Sequence, residues 1–169
     1  SKELKQCCTE NAIQLLKPEI PWQKPTGTFS TIWNTDLKNS TRAWKGIAGL
    51  NDVLTSTDAV HLISGDGSFG LIQLVPEKTP FHLHMLEPHR GLYEDILHIG
   101  VDGKPKRNLS FTRFALTKAR RDDQRVISTF LKRPKSRISG NSSYSAGRIQ
   151  TVYNCDAGFI HPSVDFSEF

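Results

Sequence analysis

Two histidines separated by one apolar residue stand inside a short hydrophobic run, Pro80-Phe81-His82-Leu83-His84-Met85-Leu86. In a strand, side chains alternate faces, so His82 and His84 share one face while Leu83 points into the opposite layer. Two imidazoles about 7 Å apart on one face hold a divalent metal when a third ligand arrives from a neighbouring element. Upstream, Gln73 and Glu77 fall on one face of the run Ile72 to Glu77, which reads as the preceding strand. The third ligand is therefore expected to be the acid Glu77 or the amide Gln73. A chance pair of half-exposed histidines is the competing reading of His82 and His84.

Other chemistry fits these residues less well. A thiol nucleophile would draw on Cys7 or Cys8, but Cys8 lies on the apolar face of its own helix and reads as core. A cupin-type barrel needs a glutamate and a late histidine at spacings that Glu87 and His161 do not match. Asp66-Gly67 and Asp102-Gly103 read as ordinary turn pairs without calcium-loop spacing.

The chain has 169 residues, enough for one domain with its own core. A hydrophobic content of 37% with nine Phe is that of a globular protein, and no apolar run approaches the roughly 20 residues needed to span a membrane. Three cysteines without a C-x-x-C pair fit reduced thiols and argue against a zinc ribbon. The net charge of +5 favours an anionic partner. Its basic residues gather after the histidine run, among them Lys104, Lys106, Arg107, Lys132, Arg133, Lys135 and Arg137, as phosphate binding requires. A solvated basic surface is the alternative.

The elements that would position these residues follow from periodicity. Residues 1–55 read as a helical, loop-rich lead-in. Leu4 to Leu16 forms one helix, ended by Pro18; residues 17–40 form a loop with anchors Trp22, Phe29 and Trp33; Thr41 to Leu54 forms a second helix, weakened by Gly46 and Gly49. Residues 56–169 read as the sheet core. Ala59 to Ile63, Phe69 to Val75 and Phe81 to Leu86 are expected strands, with Gly65-Asp66-Gly67 as a turn. Strands so close in sequence are expected to pair antiparallel. Gly91 to Ile99 reads as a short helix, Val101 to Asn108 as an exposed basic loop and Leu109 to Leu116 as a strand. Asp122 to Lys132 reads as a helix with the stripe Val126, Ile127, Phe130 and Leu131. Ser139 to Gly147 reads as a flexible loop and Ile149 to Asn154 as a last strand.

Three segments together resemble the amino-terminal HUH nuclease domain, the origin-binding domain, of the large nonstructural replication protein of parvoviruses. They are Leu71 to Leu74 with Glu77 and Phe81 to Leu86, then Val126 to Pro134, then Val152 to Ile160. The resemblance spans residues 60–165 and does not reach the first 55. It implies an α+β fold with a central antiparallel sheet flanked by helices, 1–169 being a single nuclease domain with a catalytic helix at 122–132. It further implies a metal-dependent, site- and strand-specific endonuclease that nicks single-stranded DNA at a viral replication origin through a tyrosine-5′-phosphate link. Mg²⁺ or Mn²⁺ would sit on His82, His84 and Glu77 or Gln73.

Phe130 stands at the position of the nucleophilic tyrosine. It lacks the hydroxyl, so the chain as written is expected not to nick. Lys132 and Lys135 would steady the phosphates, and Lys104, Lys106, Arg107, Arg133 and Arg137 would bind origin DNA, single-stranded or in hairpin and duplex form. A helicase domain in the same polyprotein chain, action in the host nucleus and no membrane association complete what the resemblance implies. A non-enzymatic nucleic-acid-binding domain with an incidental His-x-His pair is the alternative.

Overall fold

The computed structural model describes residues 2–18, 22–23, 35–106 and 108–163. Phe29 and Trp33 of the expected loop, and Arg107 of the basic segment, lie outside the described residues. The protein is a mixed α/β fold whose sheet has four strands in the order β1-β2-β3-β4: β1 Val60–Ile63, β2 Phe81–His84, β3 Ser136–Gly140 and β4 Gly158–Phe159. Every pairing is parallel. The expected antiparallel sheet is thus corrected. Seventeen residues separate β1 from β2, and that length serves a crossover better than a hairpin.

Three expected strands and one expected loop also change type. Phe69 to Val75 contains a helical turn, α4 Phe69–Ile72, with Leu71, Ile72 and Val75 buried. A short continuous apolar run fits a buried strand and a buried helical turn equally, and the crossover decides between them. Leu109 to Leu116 is helical, α6 Leu109–Ala115, started by Asn108, whose side chain accepts from Phe111 N. Phe111 and Phe114 stay exposed, so the alternation read as a strand face is not a buried one. Of the Gly/Ser/Asn-rich segment, Ser139 and Gly140 end β3 and residues 143–147 join most of the expected last strand in α8 Ser143–Tyr153, capped by Ser142 and ended by Asn154 in the left-handed conformation.

Small residues there serve close packing. A Cβ on Gly140 would stand 2.7 Å from Ala146 N and 2.8 Å from Ser145 Cβ, so α8 lies almost on the backbone of β3.

The remaining helices match expectation in type, except that residues 35–40 of the expected loop belong to a helix. They are α1 Lys2–Glu10, α2 Thr35–Lys45, α3 Leu50–Ser56, α5 Arg90–Tyr93 followed by a 3₁₀ turn at Asp95–His98, and α7 Thr117–Leu131. α1 stops before Ala12, which has φ 53°. The expected helix 41–54 is split into α2 and α3 around Gly49 at φ 74°. Cys8 is buried, and all three thiols are free. Among the described residues no helix is long and apolar enough to cross a membrane.

The core lies on one face of the sheet. Leu62, Leu83 and Ile138 are in register on adjacent strands, and they cluster with Leu71, Ile72, Val126, Ile127, Phe130 and Ile149 from the helices. α7 presents Ala119, Val126, Ile127 and Phe130 as one stripe at spacings of three and four. Asp123 falls on the same stripe and is half-buried. Its carboxylate accepts from Tyr93 Oη at 2.7 Å and Tyr153 Oη at 2.9 Å, which ties α5 and α8 to α7.

Burial pushes the Asp123 carboxyl above the usual range, against the pull of the two phenols. An acid held above its unfolded value contributes stability below about pH 4 that is lost as pH rises through the folded value. Asp123→Asn keeps an acceptor for both phenols but does not titrate. Its stability relative to the parent should therefore rise from pH 4 to pH 7 in urea unfolding; a constant difference would contradict the burial argument.

Candidate functional site

Parallel register sorts the sheet's side chains into two faces. His82 pairs with His61 on one side and Arg137 on the other, and His84 pairs likewise with Ile63 and Ser139. These six share the face opposite the core. His82 and His84 therefore share a face as expected, and His61 joins them. The ring centroids are 4.8 Å apart for His61–His82, 6.2 Å for His61–His84 and 6.3 Å for His82–His84. His61 Nδ1 and His82 Nδ1 lie 2.9 Å apart, and the buried Ser139 Oγ is 2.8 Å from His82 Nε2 and 3.1 Å from His84 Nδ1. Burial, followed by the neighbouring His61 and His84, holds His82 below the usual histidine range, so its neutral form is favoured.

The other expected site residues do not meet this pair. Gln73 and Glu77 line a cavity of about 1090 Å³ between α2 and α7, together with Lys38, Arg42, Asp122 and Lys132. That cavity is on the helical side of the sheet, because Ile72, Val75 and Phe130 form part of its wall. Neither Glu77 nor Gln73 is thus placed as a third ligand, and the reason is the helical crossover that replaces the expected strand. As the side chains stand, no group of three or more His, Cys, Asp or Glu among the described residues can hold a metal ion.

Position 130 is also on the wrong face. Phe130 is fully buried and meets the Phe81 ring edge-on at a centroid distance of 5.1 Å. Phe81 alternates with His82, so the Phe130 ring and the imidazoles lie on opposite sides of the sheet. Residue 130 stands at the centre of the core, and a hydroxyl there cannot reach a phosphate held by His82 and His84.

The expected phosphate contacts are scattered. Lys132 is exposed at the cavity rim. Lys135 is exposed, while its carbonyl accepts from Phe81 N at 2.9 Å. Arg133 is a structural clamp. Its guanidinium donates to the carbonyls of Val75 and Pro76 and lies 5.3 Å from the Phe81 ring centroid. Arg137 is exposed beside His82, and Lys104 and Lys106 are exposed in a turn-rich segment.

A second constellation forms at the carboxyl ends of β1 and β2. Gly65-Asp66-Gly67-Ser68-Phe69-Gly70 has the spacing G-x-G-x-x-G between a strand and a helical turn of a parallel β-α-β unit. Glu87 follows the second strand, twenty residues beyond Gly67. Leu86 N donates to Ser64 Oγ at 3.0 Å, which brings Gly65 and Glu87 side by side.

Each glycine has a distinct role. A Cβ on Gly65 would meet nothing within 4 Å, so the space above it is open. Gly67 has φ 77° and lies against Trp22, and its carbonyl accepts from Trp44 Nε1 at 3.0 Å. A Cβ on Gly70 would stand 2.5 Å from Thr41 N, so α2 packs directly on this turn. The spacing is present in the sequence, where Gly65-Asp66-Gly67 reads as a turn and the residues after it as a strand; only the parallel crossover gives it a strand on each side.

Two variants test these placements. Phe130→Tyr should stay unable to link covalently to DNA and should lose about 1–3 kcal/mol in urea unfolding, from a buried hydroxyl without a partner. Gly70→Ala should lose about 1–3 kcal/mol through the clash with α2, whereas Gly65→Ala should leave stability unchanged. A covalent DNA adduct or a neutral Gly70→Ala would contradict the assigned positions. No family model, curated protein or solved structure matches this chain.

Proposed function

We propose that this domain binds a nucleoside-bearing cofactor over Gly65 and Gly67, with Glu87 accepting the ribose hydroxyls. The observation that carries the reading is the G-x-G-x-x-G turn between parallel strands with an acid beyond the second one. Adjacent parallel strands in the order β1-β2-β3 also suit one β-α-β-α-β nucleotide-binding half.

The charge around the turn favours a cofactor without phosphates there. Gly65 N donates to Ser68 Oγ, Ser68 N to the Gly65 carbonyl, Gly70 N to the Gly67 carbonyl and Leu71 N to the Ser68 carbonyl. These donors are spent inside the turn rather than offered to a pyrophosphate. The helix that follows is one turn long, so its dipole attracts anions weakly. Asp66 and Glu87 are exposed carboxylates, and Arg90 beside Glu87 is held by Glu94 at 2.9 Å. A nucleoside carrying positive charge fits these groups, and an adenosyl sulfonium of the S-adenosylmethionine type has that chemistry. The corresponding activity is group transfer: an acceptor nucleophile takes the methyl carbon, and the sulfur leaves with the bonding pair as a neutral thioether.

A metal-dependent DNA nuclease is the second reading. The half-exposed His82 and His84 beside Arg137 favour it. Its nucleophile would have to lie somewhere other than residue 130. Viral origin DNA, a helicase partner and the host nucleus belong to this reading alone.

Isothermal titration separates the two. S-adenosylmethionine or S-adenosylhomocysteine should bind one per chain, NAD should bind at least tenfold more weakly, and Glu87→Ala should weaken the adenosyl ligand by about 1.5–3 kcal/mol, the value of hydrogen bonds to a charged group. Absence of adenosyl-ligand binding, together with Mn²⁺-dependent cleavage of single-stranded or hairpin DNA, would reverse the order of the two readings.

A further inference from the structure

We infer that the cleft between α2 and α7 binds an amphipathic phosphomonoester, a small molecule with an apolar alkyl or aryl body and a phosphate head. The cleft is separate from the cofactor turn and from the histidine face, and the inference rests on neither reading of the function.

Three observations carry it. First, the cleft has the size of a ligand site. Its volume of about 1090 Å³ is at the upper end of the range of pockets that enclose small molecules. α4 packs against both α2 and α7, and the cleft opens between those two helices. Second, its floor is apolar. Ile72 and Val75 of the crossover and Val126 and Phe130 of α7 form part of the wall, and Leu37 joins them from α2. An alkyl or aryl body placed there removes apolar surface from water on the ligand and on the protein.

Third, the rim is cationic, and half of its cations are committed elsewhere. Lys118 and Arg125 share Asp122, at 2.5 and 3.9 Å. Arg133 is held by the carbonyls of Val75 and Pro76, with the Glu77 charge nearby. Lys38, Arg42 and Lys132 remain. All three are exposed, and among the described residues none of them takes part in an ion pair. Lys38 and Arg42 stand one turn apart on α2, and Lys132 follows the last turn of α7.

These three cations select the head group. A phosphomonoester is close to a dianion at neutral pH and offers three strong acceptor oxygens. A carboxylate brings one charge and two oxygens, and a neutral amphiphile leaves the cations without a partner. The cations border a cleft rather than an open face, which favours a small molecule over a nucleic-acid strand.

Isothermal titration of the whole chain with octyl phosphate, below its micellar concentration and at constant ionic strength, tests the site. One equivalent should bind. Inorganic phosphate should bind at least about tenfold more weakly, because it brings no apolar surface. Lys38→Gln, Arg42→Gln and Lys132→Gln should each weaken octyl phosphate about threefold. Lys45 is an exposed cation of α2 outside the cleft, so Lys45→Gln should match the parent. Thr129 is exposed on the α7 wall, so Thr129→Trp should fill the cleft and abolish binding with an unchanged circular dichroism spectrum. Glu87→Ala should bind octyl phosphate like the parent, so this inference and the cofactor reading fail separately. Inorganic phosphate that binds as tightly as octyl phosphate, Lys45→Gln as weak as Arg42→Gln, a folded Thr129→Trp variant equal to the parent, or the absence of a saturable site would overturn the inference. Displacement of octyl phosphate by a single-stranded oligonucleotide at equal phosphate concentration would also overturn it, by assigning the cations to nucleic acid.

Discussion

Leu83 lies at the middle of the sheet, with Leu62 on one side, Ile138 on the other and Ile127 and Phe130 above it. The rest of the structure depends on this parallel register. A shift of one residue would turn Leu83 out and His82 and His84 into the apolar core. Buried apolar side chains of this size each contribute about 1.5–3 kcal/mol, and an unpaired imidazole in their place would cost a comparable amount. The hydrophobic preference of Phe81, Leu83 and Met85 therefore fixes the histidine face as the outer one. Arg133 adds a lock at the end of β2, where its guanidinium covers the Phe81 ring and bonds the carbonyls of Val75 and Pro76.

Close backbone approach is the second constraint, and glycines provide it at two ends of the fold. Gly70 admits α2 against the turn after β1, and Gly140 admits α8 against β3. Both contacts bring a helix to within the space of one methyl group. The same small residues that lower local helix and strand propensity are thus the ones that let the layers meet. The turn Gly65–Gly70 gains its shape from this packing and from the Trp44 hydrogen bond rather than from a ligand.

The polar groups that the fold takes wholly or half out of solvent are placed where elements cross. Asp123 joins three helices through two phenols, and Ser139 joins two imidazoles on the opposite face. Burial raises the phenol pKa of both Tyr93 and Tyr153, so they act as hydrogen-bond donors and do not titrate near neutrality. One network steadies the helical layer and the other orients the histidines, and the sheet separates them.

The sequence by itself determined the strands at 60–63 and 81–84, the shared face of His82 and His84, the α7 helix and the basic segment at Lys104 and Lys106. Each is a short-range pattern, set by side-chain alternation, helical spacing or turn residues. The sequence also contained the G-x-G-x-x-G spacing, but its meaning needs a parallel strand on each side. Tertiary structure alone decided the direction of the sheet, the type of 69–75, 109–116 and 143–153, and the partner of each candidate residue. An apolar run such as Leu71 to Val75 is buried as a strand or as a helical turn with nearly equal local energy, so the crossover between β1 and β2 chooses. That choice moves Glu77 to the helical side and leaves His61 beside His82. It also places Phe130 across the sheet from the histidines, a relation between residues that no pattern within either segment contains.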